Sequence, residues 1–235
     1  MPLDIAKISE LNNVNVKATT QHFPAETSAV NQLIDLYCTF TEALGSTVPE
    51  NKLVEYELFW ISLRGLFCSS ELIFSAHIAE SYSMTSRSLE AAGYANHIRI
   101  SPVKSKIWLL KRHDTEGFKK AFSPRWVGRE TDKIKDAYNL TREYGTHSNF
   151  SSTIFSRITV DKNHHQNIFS DINDLPNLHR SILYTIHCYI LILEIIELCF
   201  KDLLNIEWKD KFKLFRNQHI ERISQFRTSS PKVAL

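Results

Sequence analysis

The chain has 235 residues, 28 Lys and Arg against 26 Asp and Glu, and only 6 glycines and 7 prolines. That length can bury one large core, and so little turn chemistry excludes an architecture of many short strands and favours long helices. The net charge of +2 hides an uneven distribution: residues 1 to 98 carry 5 Lys/Arg against 11 Asp/Glu, residues 99 to 135 carry 11 against 4, and the remainder is balanced at 12 against 11.

In chain order, residues 1–26 are polar and non-periodic and are read as a loosely ordered segment. The first helix is predicted to start at Thr27 or Ser28, because Val30, Leu33, Ile34, Tyr37, Phe40 and Leu44 recur at the spacing of one buried helical face; Gly45 to Pro49 ends it. A second helix starts near Asn51 and carries Leu53, Phe59, Trp60, Leu63, Leu66 and Phe67, with Gly65 as an irregularity. A third runs from about Ser70 to Arg99, and its small residues allow close helix approach. Ser101-Pro102 opens a fourth, since serine caps and proline is tolerated in the first turn. A short helix over Glu116 to Phe122 and a helical segment from Gly128 to Tyr144 follow. Thr153 to Val160 and Asn167 to Ser170 read as two short strands around a polar turn containing His164 and His165. Leu178 to Leu204 is the longest apolar helix and Trp208 to Arg227 a last, basic one. The expected fold is all-α: a single bundle of about six or seven helices over 27–228, with a small β-ribbon or loop excursion near 152–172 and a flexible tail over 229–235.

Cys38, Cys68, Cys188 and Cys199 show no CxxC pair and no zinc-finger spacing, so they read as reduced core residues of a cytoplasmic protein. No secretory signal is evident, and the most apolar stretch, Cys188 to Phe200, is interrupted by Glu194 and Glu197, so no membrane association is expected. No phosphate-binding glycine loop, nucleophile elbow or His-Glu-x-x-His is present, and no Glu-x-x-His supports a di-iron bundle. No metal and no cofactor are expected. An acidic first part and a basic middle attract each other within a subunit or across a homodimer, or the basic part serves a polyanion.

The best chemical candidate is Arg142-Glu-Tyr-Gly-Thr-His147. Arginine offers a planar fork for phosphate oxygens and histidine gives or takes a proton near neutrality, a pair that suits phosphodiester cleavage without a metal. Residues five apart point about 140° away from each other on a continuous helix, so the helix must break between them, with Gly145 as a left-handed C-cap. The plainer reading makes Arg142 a solvated helix residue and His147 a favourable cation at a helix end. Arg87 and Glu90 are a second pair: a local ion pair, a bridge to a neighbouring helix, or the lining of a pocket with His77, Tyr94 and His97.

Thr85 to Ala95, Ile100-Ser-Pro102, Trp108 to Arg112 and Tyr144-Gly-Thr-His147 resemble motifs of a group of uncharacterised bacterial helical proteins. The Arg-x4-His element also resembles the HEPN superfamily, helical domains of toxin and antiphage-defence systems, many of them metal-independent ribonucleases and others inactive or structural. The resemblance implies RNA as substrate and a homodimer. It implies His147 as general acid or base and Arg142 as the group that stabilises phosphoryl charge. Tyr144 and Thr146 would position substrate, Ser148 and Asn149 would stand at the rim, and Glu143 would orient the His147 ring. The competing class is a non-catalytic helical module for dimerisation or for a ligand or partner.

Overall fold

The computed structural model describes residues 5–45, 47–145, 157–161, 164–167 and 175–229. Nine α-helices are present among them, more than the six or seven expected: α1 Ile5–His22, α2 Pro24–Ala43, α3 Leu53–Phe74, α4 Ile78–Ile100, α5 Lys104–Leu109, α6 Thr115–Ala121, α7 Asp132–Gly145, α8 Leu175–Cys199 and α9 Ile206–Ser229. The helix that had not been expected is α1. The polar stretch read as loosely ordered carries α1, whose Asn15 side chain donates to the Ser75 carbonyl at 3.2 Å. The stretch after Ser101 forms the two helices expected there, α5 and α6, both short. The α2 helix starts at Pro24, about a turn earlier than its apolar periodicity suggests, because proline is preorganised for the first helical position.

The break between α3 and α4 falls at Ser75 to His77, not near Ser70. Ala76 is fully buried with φ of 61°, and the His77 amide donates back to the Leu72 carbonyl at 2.8 Å, so alanine occupies the left-handed position that glycine usually takes at a helix end. A two-stranded antiparallel ladder pairs β1, Arg157–Asp161, with β2, His164–Asn167. His164 and His165 therefore lie in a strand, not in the turn between strands. The tail over 230–235 lies outside the described residues.

The centre of the bundle is α4, which packs against α3, α7 and α8. Its inward positions are mostly small: Ser81, Thr85, Ser88, Ala92 and Ala95 are each 1% exposed or less. Small side chains bring the partner backbones close, and Gly65 on α3 shows how close, since a Cβ there would lie 1.9 Å from the Ser88 hydroxyl oxygen. The buried hydroxyls need partners. Tyr189 on α8 supplies one, with its phenol oxygen 3.1 Å from both Ser69 Oγ and Ser88 Oγ, while Tyr37 on α2 donates to the Tyr189 carbonyl at 3.2 Å. Beside this polar centre an aromatic cluster joins α2, α3 and α9: Phe40 stacks on Phe59 at 4.2 Å and meets Phe200 and Trp208 edge-on at 5.4 and 5.5 Å. The Trp208 indole N–H donates to the Leu36 carbonyl at 2.8 Å.

With 25 residues, α8 is longer than its most apolar stretch suggested and is long and apolar enough to cross a bilayer; 72% of its most apolar window is buried within the bundle. Cys188 and Cys199 are core residues, whereas Cys38 and Cys68 are exposed. Each exposed cysteine stands one position off the inward stripe, which Tyr37 and Ser69 occupy. On α9, His219 is 1% exposed with both ring nitrogens unpartnered, and burial, then His187, then Arg222 push its pKa down to about 3.

Gly65→Ala is expected to lower stability by about 1–3 kcal/mol, because the new methyl meets Ser88 in an overpacked contact. Urea unfolding should show a smaller cost for the same change in a Ser88→Ala background, where the clashing oxygen is gone. His219 binds its proton less readily folded than unfolded, so it contributes a loss of stability as pH falls from its unfolded value near 6.5 towards about 3. His219→Leu removes two unpartnered polar atoms, and thermal melts should show equal or higher stability at pH 7 and a shallower loss towards pH 4.

Candidate functional site

Glu90, Tyr94 and His97 are spaced four and three apart and therefore share one face of α4. The segment running from α5 to the 3-10 turn at Arg129–Thr131 folds onto that face. Trp126 lies against Gly93, where a Cβ would stand 2.6 Å from the indole, and the Asn96 side chain donates to the Val127 carbonyl at 2.6 Å. His97 Nε2 is 2.8 Å from the Pro124 carbonyl and 3.0 Å from that of Arg125. Carbonyls only accept, so Nε2 carries the proton and Nδ1 accepts from Lys104 Nζ at 2.9 Å. The ring is thus held neutral, and burial first and the Lys104 cation second lower its pKa. His97 is fully engaged in fastening this basic cap.

Beyond the cap lies a cluster of guanidinium groups and phenols. The Arg125 guanidinium meets the Glu90 carboxylate at 3.1 Å and donates to the Tyr138 hydroxyl, and Tyr94 donates to Glu90 at 2.8 Å. Arg125 and Arg142 both approach the Tyr138 ring, at 5.2 and 5.9 Å from its centroid. Lys111 lies over Tyr94 and Phe118 at 5.4 and 4.7 Å, and Lys104 over Phe122 at 5.6 Å. Lys106, Arg112, Lys119, Lys120, Arg129, Lys133 and Lys135 are exposed around them. Such a surface can hold a polyanion through cations and amphipathic aromatic rings.

Arg142 is thus placed beside Tyr138 and joined through it to Arg125 and Glu90. Glu143 is exposed and Tyr144 half-buried against the core. Thr146, His147, Ser148 and Asn149 lie outside the described residues. Glu90 pairs with Arg125 of the cap and not with Arg87, which is exposed, so the bridging alternative describes Glu90. The pocket suggested for Arg87, Glu90, His77, Tyr94 and His97 does not form. Tyr94 and His97 sit under the cap beside Phe122, while His77 stands at the opposite end of α4, bound to Asn12 at 3.0 Å. Arg125 and Tyr138 were missed because they carry no motif; only the basic density of 99–135 pointed to this region.

Gly145 has a different reason for being glycine than the one its position suggested. Among the described residues the glycines with positive φ are Gly45 and Gly128, so Gly145 is not a left-handed cap. A Cβ at Gly145 would lie 2.5 Å from the Ser83 amide nitrogen and 2.8 Å from the Ala79 carbonyl oxygen. It is the contact that lets α7 lie directly on α4 and fixes where Arg142 stands.

Among the described residues no group of three His, Cys, Asp or Glu side chains could hold a metal ion. His97 and Glu90 already have partners within the chain, so the cluster offers cations and aromatic rings for binding. Comparison of the chain with protein-family models, curated proteins and solved structures gives no match.

Because the atoms facing Gly145 are backbone, Gly145→Ala is expected to force α7 off α4 at a cost of roughly 1–3 kcal/mol. Gly145→Asn separates the two roles: asparagine is tolerated at a left-handed cap, whereas close helix packing makes it at least as damaging as alanine in a chemical denaturation curve.

Proposed function

We propose that this chain is a HEPN-like helical domain that acts on RNA as a metal-independent ribonuclease of the toxin or antiphage-defence type, in the cytoplasm and as a homodimer. The observation that carries this reading is the convergence of Arg142 and Arg125 on Tyr138, within an exposed basic surface at the end of α7, immediately before Thr146 to Asn149. A phosphate held there meets two permanent cations with planar forks.

In the reaction, His147 takes the proton of a ribose 2'-hydroxyl, whose oxygen attacks the adjacent phosphorus. Arg142 stabilises the charge that grows on the non-bridging oxygens. The bond to the 5'-oxygen breaks, and that oxygen takes up the proton that His147 removed, delivered through water. The products are a 2',3'-cyclic phosphate and a 5'-hydroxyl. Tyr144 and Thr146 position the substrate, Ser148 and Asn149 form its rim, and Glu143 orients the His147 ring. The alternative, a non-catalytic module for dimerisation or for a ligand or partner, draws support from the full engagement of His97 and Glu90 in intramolecular bonds.

Incubation with structured and single-stranded RNA in the presence of a chelator tests the reading. Cleavage with cyclic phosphate ends is expected, falling about 10²- to 10⁴-fold in His147→Ala, with Arg142→Ala likewise impaired and both melting temperatures nearly unchanged. Intact RNA with the wild type, together with unfolding of His147→Ala, assigns the chain to the non-catalytic class.

A further inference from the structure

The exposed positions of α3 after its first turn form one stripe: Glu57, Ile61, Arg64, Phe67, Cys68 and Glu71, continuing back to Leu53 at the helix start. Its apolar members are Leu53, Ile61 and Phe67, 47%, 39% and 44% exposed. Among the described residues, Glu57, Arg64 and Glu71 make no ion pair within the chain. A helix exposing large apolar residues at helical spacing, with unpaired charges of both signs between them, is built to meet another surface. At its N-terminal end the stripe opens into a groove of about 670 Å³ between α3 and α5, whose walls include Glu50, Leu53, Glu57, Lys106 and Leu109. Leu109 is 63% exposed there.

We propose that the α3 stripe is the surface on which a second copy of this chain docks, with the two α3 helices antiparallel about a two-fold axis beside Ile61. The charge pattern selects this occupant. Rotation about that point sets Glu57 against the partner's Arg64 and Arg64 against the partner's Glu57. Leu53 meets the partner's Cys68, and the two Ile61 side chains meet near the axis. The partner's Phe67 then enters the α3–α5 groove beside Leu53 and Leu109. Glu50 faces the partner's Glu71 with Lys106 alongside, so the one like-charged pairing carries its own cation. An isologous interface requires each surface to contain both halves of every complementary pair, and this stripe does. A polyanion or an anionic bilayer is a poor match, because carboxylates alternate with cations along it. The interface leaves the α7 surface unused, so it does not depend on the proposed chemistry.

Sedimentation velocity of the full chain at micromolar concentration tests the proposal. A dimer is expected, with Phe67→Asp raising its dissociation constant about 10- to 100-fold while circular dichroism stays unchanged, since the residue is exposed. Glu57→Lys and Arg64→Glu should each weaken the dimer and the double variant should restore it. Register is read by oxidation: Leu53→Cys in a Cys38→Ser background should form an intersubunit disulfide with Cys68. Cys38→Ser alone should not, because two Cys68 would stand about 22 Å apart along the paired helices. A monomer at all concentrations, a dimer indifferent to Phe67→Asp, charge variants that fail to compensate, or association seen only with added RNA or anionic vesicles would overturn it.

Discussion

The structure depends on how closely other helices approach α4. Small residues along that helix remove the usual spacers, and glycine stands where the approach is closest: Gly65 of α3 against the Ser88 side chain, Gly145 of α7 against the α4 backbone and Gly93 of α4 beneath Trp126. Close approach buries the Ser69 and Ser88 hydroxyls, which in apolar surroundings would cost about 1–3 kcal/mol each if left unpaired. Each reaches a carbonyl of its own helix, Leu66 or Met84, and the Tyr189 hydroxyl joins the two and ties α8 to the α3–α4 pair at one rotation and one height. Apolar packing alone would tolerate sliding; a shared hydroxyl network does not.

Everything at the surface inherits this arrangement. The basic cap is set by α4 residues that have no freedom of their own, since His97 and Asn96 spend their hydrogen bonds on the backbone of 124–127. The cap in turn delivers Arg125 to Glu90 and Tyr138, and the contact of Gly145 with Ser83 places Arg142 on the same ring. The cations assembled there are thereby given a fixed geometry, which the proposed phosphate site requires. The exposed face of α3 carries charges of both signs between large apolar side chains, a chemistry suited to protein contact.

Much of the helical architecture could be read from periodicity, because α2, α8 and α9 carry long amphipathic or apolar stretches. What escaped was local. The break at Ala76 has neither glycine nor proline to mark it, being held by the turn around it and by complete burial. The α1 helix buries polar residues, Asn15 and Thr19, and leaves Leu11 and Val14 exposed, so no apolar stripe marks it, and specific contacts such as Asn15 to Ser75 hold it. Gly145 was legible as a residue that had to be glycine, but one letter does not distinguish a left-handed turn from a close helix contact. Arg142 was found through its neighbour in sequence, whereas Arg125 and Tyr138 are brought to it by tertiary structure alone, across a segment whose sequence advertises only positive charge.

The claim that Arg142 and His147 share one phosphate is tested most directly by nuclear magnetic resonance titration of the His147 ring with a non-cleavable 2'-deoxy oligonucleotide. If the two residues form one site, binding raises the His147 pKa, because a phosphate beside the ring favours the imidazolium, and the shift is lost in Arg142→Ala. A His147 resonance whose titration is the same with and without the oligonucleotide, while the protein still binds it, would contradict the account.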